Sequence, residues 1–167
     1  MIFAILQDAF FAALAAVGFA AISRPPLRAY PYCALIAAIG HSSRFAMMSP
    51  ELGLHLSIIP ATFLAALIVG VLAVFLSPVA RTPAETCLFP SLLPMIPGMY
   101  AYRAFGGLAL CLMSSHREVF DNNFFLFASN GMTCVCILLG MVVGATIPIF
   151  LFKGVSFTAT RDGHRAA

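Results

Sequence analysis

The chain has 167 residues, of which 62% are hydrophobic and only 9% are charged, and its formal net charge is +3. A soluble domain has about a quarter of its residues charged, so this composition excludes an ordinary water-soluble globular domain. The few basic residues are scattered over short loops, which argues against nucleic-acid binding. The sequence therefore predicts a polytopic membrane protein.

Five apolar segments, separated by short charged or proline-bearing breaks, fill almost the whole chain. Each is near or above the roughly 20 residues that an α-helix needs to cross a hydrocarbon core of about 30 Å. They predict an all-α protein whose transmembrane helices lie at about residues 2–22, 30–48, 56–76, 88–113 and 124–152. Residues 1–153 would form one transmembrane domain, because no loop is long enough to fold by itself, and residues 154–167 would form a polar cytoplasmic tail.

The first segment is predicted to be a true span and not a cleaved signal, because it lacks a basic start and contains Asp8. Small residues recur every four positions at Ala12, Ala16 and Ala20, and again at Gly140 and Gly144 in the last segment. Such patterns allow close helix approach in a membrane. They fit either packing within the chain or a dimer interface.

The fourth segment contains three prolines and a glycine within nine residues, namely Pro90, Pro94, Pro97 and Gly98. Each proline removes a backbone donor and clashes with a carbonyl one turn earlier. This density predicts a broken helix, which transporters commonly use to build a substrate site. The alternative is a sharply kinked helix with a purely structural role.

The flanking Lys and Arg residues predict the orientation. The breaks after the first and third segments and the C-terminal tail hold six of them, whereas the opposite side holds only Arg117. Because cytoplasmic loops carry the excess of positive charge, we expect the N-terminus outside and the C-terminus in the cytoplasm.

Three charged residues lie inside the segments: Asp8, Arg44 and Arg103, with His41 one turn from Arg44. Ionisable groups at such depth are costly and indicate a ligand site or an ion pathway. In the predicted topology each charge lies about 21–22 Å from the cytoplasmic end of its span, so the four side chains would share one layer. This layer would be net positive, and a half-helix beginning at Gly98 would add its N-terminal dipole and amides.

The predicted ligands of such a site are small carboxylates, bound by Arg44, Arg103, His41 and Asp8 beside the broken backbone of Pro94, Pro97 and Gly98. His41 would be able to carry a proton. Each residue also has a structural alternative: Asp8 and Arg44 as an ion pair between helices, Arg103 reaching out to the membrane surface, and His41 as a packing residue.

Neither an enzyme nor a metal protein is predicted. The chain has no His-Glu-x-x-His or Gly-x-Ser-x-Gly motif, so no catalytic residue, cofactor or metal ligand is assigned. The five cysteines are interpreted as small apolar packing residues.

Several of these elements carry a family resemblance. They are Gln7-Asp8, Ala16 to Ala20, Cys33-Ala34-Leu35, Gly40-His41 with Ser43-Arg44, and Ile96-Pro97-Gly98 followed by Tyr100-Ala101. Over residues 5–150 the sequence resembles the threonine/serine exporter family, and most closely the small YjjB-like subunit of its two-component members. Ser42 departs from the family pattern, which has a smaller residue there.

The resemblance implies a multi-pass protein of the bacterial inner membrane that works with a larger YjjP-like membrane subunit. It implies export of a small carboxylate, with succinate expected first because of the two arginines. Export of threonine or serine is the main alternative, and a non-transporting assembly subunit is another.

Overall fold

The computed structural model describes residues 2–52 and 54–156, and within them every regular element is helical. The prediction of an all-α protein is thus confirmed. The α-helices are α1 (Ile2–Ser23), α2 (Tyr30–Met48), α3 (Ile58–Ala80), α4 (Ala84–Leu92), α5 (Gly98–Met113), α6 (Arg117–Leu151) and α7 (Lys153–Ser156). Single 3-10 turns occupy Leu27–Ala29, Pro50–Leu52 and Leu93–Met95.

Three of these helices, α1, α3 and α6, are long and apolar enough to cross a membrane. Helix α2 has 19 residues and α5 has 16. The five-span count therefore stays a prediction.

Some helix ends differ from the predicted spans. Helix α3 continues to Ala80 because Pro78, near its end, removes only one late backbone donor. Helix α6 begins at Arg117 and not at residue 124. Its polar first turns are stabilised by the Arg117–Asp121 pair one turn apart (3.9 Å) and by Glu118 at the positive end of the helix dipole. The predicted tail overlaps α7, and the part of it from residue 157 lies outside the described residues.

The chain forms two compact units. The first comprises the residues up to Met95 together with those from Gly140, and the second comprises Ile96–Leu139. One boundary therefore falls in the proline-rich stretch between α4 and α5, and the other falls within α6.

In the first unit, small residues bring the helices together. Ala12, Ala16 and Ala20 are buried in α1, which packs on α2. At Gly40 of α2 an added Cβ would overlap the side chain of Val69 in α3, so no larger residue fits without a shift of the helices. This close approach is the usual basis of helix association where lipid supplies no hydrophobic drive.

Helix α3 also contacts the last part of α6 through glycines on both sides. A Cβ at Gly70 would lie 2.6 Å from the Ala145 carbonyl oxygen, and one at Gly144 would overlap the Phe63 carbonyl. Gly140 and Gly144 thus pack against α3 of the same unit. Of the two sequence-based alternatives for this pair, packing within the chain is the one observed.

The second unit consists of α5 against the first part of α6. Ala104, Gly107 and Cys111 are buried on one side of α5. A Cβ at Gly107 would lie 2.8 Å from the Phe127 backbone nitrogen, so the two backbones nearly touch there.

Replacing Gly144 should expose the importance of the α3–α6 contact. We expect Gly144→Leu to lower the melting temperature of the purified protein by several degrees, because overpacking a tight contact costs about 1–3 kcal/mol. Gly18→Leu is the matched control, since a Cβ at Gly18 meets nothing within 4 Å. Equal melting temperatures of the two variants in detergent would contradict a close contact between Gly144 and α3.

Candidate functional site

Asp8 of α1 and His41 of α2 are in direct contact. The distance from Asp8 Oδ2 to His41 Nδ1 is 2.6 Å, and the two side chains are 19% and 18% exposed, respectively. Both residues were predicted as site residues from their charge inside apolar segments. The structure brings them together because α1 packs along α2 through its alanine face.

Arg44 extends this contact along α2. It lies three residues after His41, a spacing that places two side chains on the same face of a helix. Arg44 Nη2 is 2.8 Å from His41 Nε2, and Nη1 donates a hydrogen bond to the carbonyl oxygen of Met95 (3.1 Å). The result is a continuous chain of polar contacts, Asp8–His41–Arg44–Met95, which we call the polar relay.

The chemistry of arginine fixes the protonation of the polar relay. A guanidinium group can only donate hydrogen bonds, so His41 Nε2 must be the acceptor. The single ring proton of His41 is then on Nδ1, where it is donated to the Asp8 carboxylate. In this arrangement His41 is neutral, and the relay holds one positive and one negative group with no net charge.

Arg44 reaches outside helices α1 and α2 to an irregular stretch of backbone. Met95 ends the 3-10 turn that follows α4, and its carbonyl accepts the guanidinium bond. The sequence pointed to the proline-rich segment but not to this atom. The predicted helix break was the feature that could have indicated such an acceptor, because an interrupted helix leaves carbonyls without their usual donors.

The Ser42 hydroxyl has no hydrogen-bond partner among the described residues, although its oxygen is buried. Its neighbour Ser43 is satisfied by donating to the Gly40 carbonyl oxygen at 2.7 Å. Buried hydroxyls are usually paired, so Ser42 is available to a ligand or a water molecule. Sequence reasoning noted Ser42 only as a departure from a family pattern.

The backbone between the 3-10 turn and α5 differs from the prediction of a free amide at Gly98. Pro94 lies within the turn that ends at Met95, and Pro97 precedes α5 with φ −78° and ψ 58°. The Gly98 amide donates to the Ile96 carbonyl at 2.8 Å, which makes a tight γ-turn centred on Pro97. The Gly98 amide is therefore already bonded and is not a free anion ligand.

Arg103 belongs to the second unit, where it lies on α5 with an exposed side chain. Within the described part of the chain it has no hydrogen bond or ion pair. A site shared by Arg103 and the polar relay stays a prediction.

Comparison with known proteins decides the family. The family model of the threonine/serine exporters, ThrE, matches residues 8–151. The chain belongs to the threonine/serine exporter family. All residues of the polar relay lie within the matched region, which begins at Asp8.

A protein of Haemophilus influenzae, described as uncharacterised, is 33% identical to this exporter-family chain over 149 residues. The match covers 89% of the chain and 48% of the relative, so the chain spans about half the length of that relative. No solved structure matches the chain.

His41 should hold the relay together. We expect His41→Leu to lower the free energy of unfolding by about 1–3 kcal/mol, because Asp8 and Arg44 would each lose a partner while remaining half-buried. Ser43→Ala, two residues further along α2 and outside the relay, should have a much smaller effect. Thermal unfolding in detergent would test this, and equal stability of the two variants would show that the relay contributes little.

Proposed function

We propose that this exporter-family chain is one subunit of a two-subunit exporter that binds a small zwitterionic hydroxy amino acid, threonine or serine, at the polar relay. The observation that supports this proposal is the arrangement of Asp8, His41 and Arg44 as a cation and an anion separated by a neutral imidazole. An amino acid carries the complementary pair of charges.

Charge balance favours a zwitterion over a dicarboxylate. The relay has no net charge, and a zwitterion would leave it neutral. A dicarboxylate would add two negative charges to half-buried surroundings, where an uncompensated charge is strongly disfavoured. The sequence-based preference for succinate depended on Arg44 and Arg103 acting together, and succinate is therefore the second candidate.

The relay has unused groups of the right kinds for this substrate. Arg44 uses two of its five N–H donors in the contacts to His41 and Met95, which leaves three for a carboxylate. Asp8 binds His41 through Oδ2, so Oδ1 could accept a bond from an ammonium group. The Ser42 hydroxyl would pair with the hydroxyl group of the substrate.

The proposal includes the predicted topology of five spans in the bacterial inner membrane. Helices α4 and α5 would be the two parts of an interrupted fourth span, because at 1.5 Å per residue they are only about 14 and 24 Å long. Arg28 donates to the Arg81 carbonyl oxygen at 3.1 Å, so the basic ends of α1 and α3 lie together. This shared basic end supports a cytoplasmic location for it.

The second subunit is proposed from the length of the relative. About half of the Haemophilus influenzae protein lies outside the matched region, and a larger YjjP-like membrane subunit would supply the corresponding part as a separate chain. A non-transporting assembly role is the competing hypothesis for this chain.

Export assays on relay variants test the proposed substrate site. Arg44→Ala and Asp8→Asn should each lower threonine or serine efflux about 10- to 100-fold, because each removes a charged hydrogen-bond partner worth about 1.5–3 kcal/mol. Efflux of threonine, serine and succinate would be measured from cells that lack their native exporters and express both subunits. Arg44→Lys should recover only part of the activity, since it keeps the charge and loses the planar fork.

Ser43→Ala is the control variant, because Ser43 bonds only to the Gly40 carbonyl of its own helix. Succinate efflux lost in Arg44→Ala, without any threonine or serine efflux in the wild type, would favour the dicarboxylate. Normal efflux of all three solutes by both relay variants would favour the assembly role.

The topology can be checked separately from transport. We expect a cysteine introduced at Ser115, between α5 and α6, to react with a membrane-impermeant maleimide in intact cells, whereas one introduced at Arg24 should react only after lysis. The native cysteines would first be replaced by serine or alanine. The opposite labelling pattern would reverse the proposed orientation.

A further inference from the structure

One side of helix α5 is exposed along its whole length. The exposed residues on this side form what we call the α5 outer face: Met99, Tyr102, Arg103, Gly106, Leu110 and Met113. The opposite side, with Ala104, Gly107 and Cys111, is buried against α6. The outer face is therefore the side left for a contact outside this unit.

Arg103 is the only charged residue on the α5 outer face. Ten residues separate it from the C-terminal end of α5, about 15 Å along the axis, so it does not lie at that end of the helix. No described residue forms a hydrogen bond or an ion pair with it. An unpaired guanidinium on an apolar membrane helix is unfavourable, and such residues pair with an opposite charge where one is within reach.

The described acids of the chain are poorly placed to pair with Arg103 in a second copy. Asp8 is already bound to His41. The others lie in a short 3-10 turn or in the first two turns of a helix, at Glu51, Glu85, Glu118 and Asp121. A parallel second copy would present these acids at helix ends and not opposite the middle of α5. The counter-charge is better supplied by a different protein.

We propose that the α5 outer face binds a membrane-spanning helix of a different chain, and that an Asp or Glu of that helix pairs with Arg103. A Cβ at Gly106 meets nothing within 4 Å, so this position offers a small-residue surface one turn from the arginine. Small residues beside a polar contact are the typical composition of helix interfaces in membranes. The inference rests on the proposed two-subunit exporter and assigns Arg103 to its assembly, in place of its predicted role as a substrate ligand.

Co-purification of the larger subunit with this chain tests the proposal. Both would be co-expressed, this chain would be tagged, and the amount of larger subunit recovered per tagged chain would be measured in mild detergent. Arg103→Glu and Gly106→Leu should each lower the recovery about tenfold, the first by charge repulsion and the second by blocking close approach. Both variants should reach the membrane at the wild-type level, because neither side chain packs within its own unit.

Arg117→Glu is the matched control for charge reversal, since Arg117 is exposed at the start of α6 and pairs only with Asp121. It should leave recovery unchanged, and Arg44→Ala should also leave recovery unchanged while lowering efflux. A failed substrate proposal would thus leave efflux normal in the Arg44 variant without affecting the Arg103 result.

Three outcomes would overturn the inference. Wild-type recovery with Arg103→Glu would show that Arg103 does not contact the larger subunit. If Arg103→Glu recovered the larger subunit at the wild-type level but lost efflux, the result would support the role of Arg103 as a substrate ligand. If Arg103→Glu abolished self-association between two differently tagged copies of this chain and left recovery of the larger subunit unchanged, the α5 outer face would bind a second copy.

Discussion

The contact between Arg44 and the Met95 carbonyl is the interaction on which the candidate site depends. A guanidinium group in apolar surroundings must use its donors, and Arg44 has only His41 and Met95 as described partners. Because Met95 lies at the end of an irregular turn, this one side chain joins a regular helix to the interrupted stretch of the chain. The position of the Arg44 guanidinium sets the orientation of the His41 ring, and the orientation of the ring sets its contact with Asp8.

Small residues make this geometry possible. Gly40 directly precedes His41 and lets α2 approach α3 at Val69, while the alanines of α1 bring Asp8 against α2. In a soluble protein, burial of large apolar side chains would drive such contacts. In a membrane the helices approach through close backbone packing and polar contacts, so the residues beside the relay are as important to its position as the charged ones.

The sequence predicted the class of the fold and three of the four members of the relay. Asp8, His41 and Arg44 were visible because an ionisable residue in an apolar segment has few structural explanations. The Met95 carbonyl could not be predicted, because every residue has the same backbone carbonyl. The position of a helix break can also be predicted only to within a few residues. Gly98 was expected to present a free amide, but the fixed φ of Pro97 turns that amide back onto Ile96, which a residue pattern does not reveal.

His41 Nε2 has one lone pair, and in the structure Arg44 occupies it. A second ring proton would need the same electrons, so an imidazolium at this position would have to release the guanidinium and would hold Asp8 as an ion pair instead. The contact between Arg44 and His41 therefore requires an imidazole ring that carries one proton. The two ring nitrogens are thus linked, because the proton that His41 donates from Nδ1 to Asp8 leaves Nε2 as the acceptor that Arg44 needs.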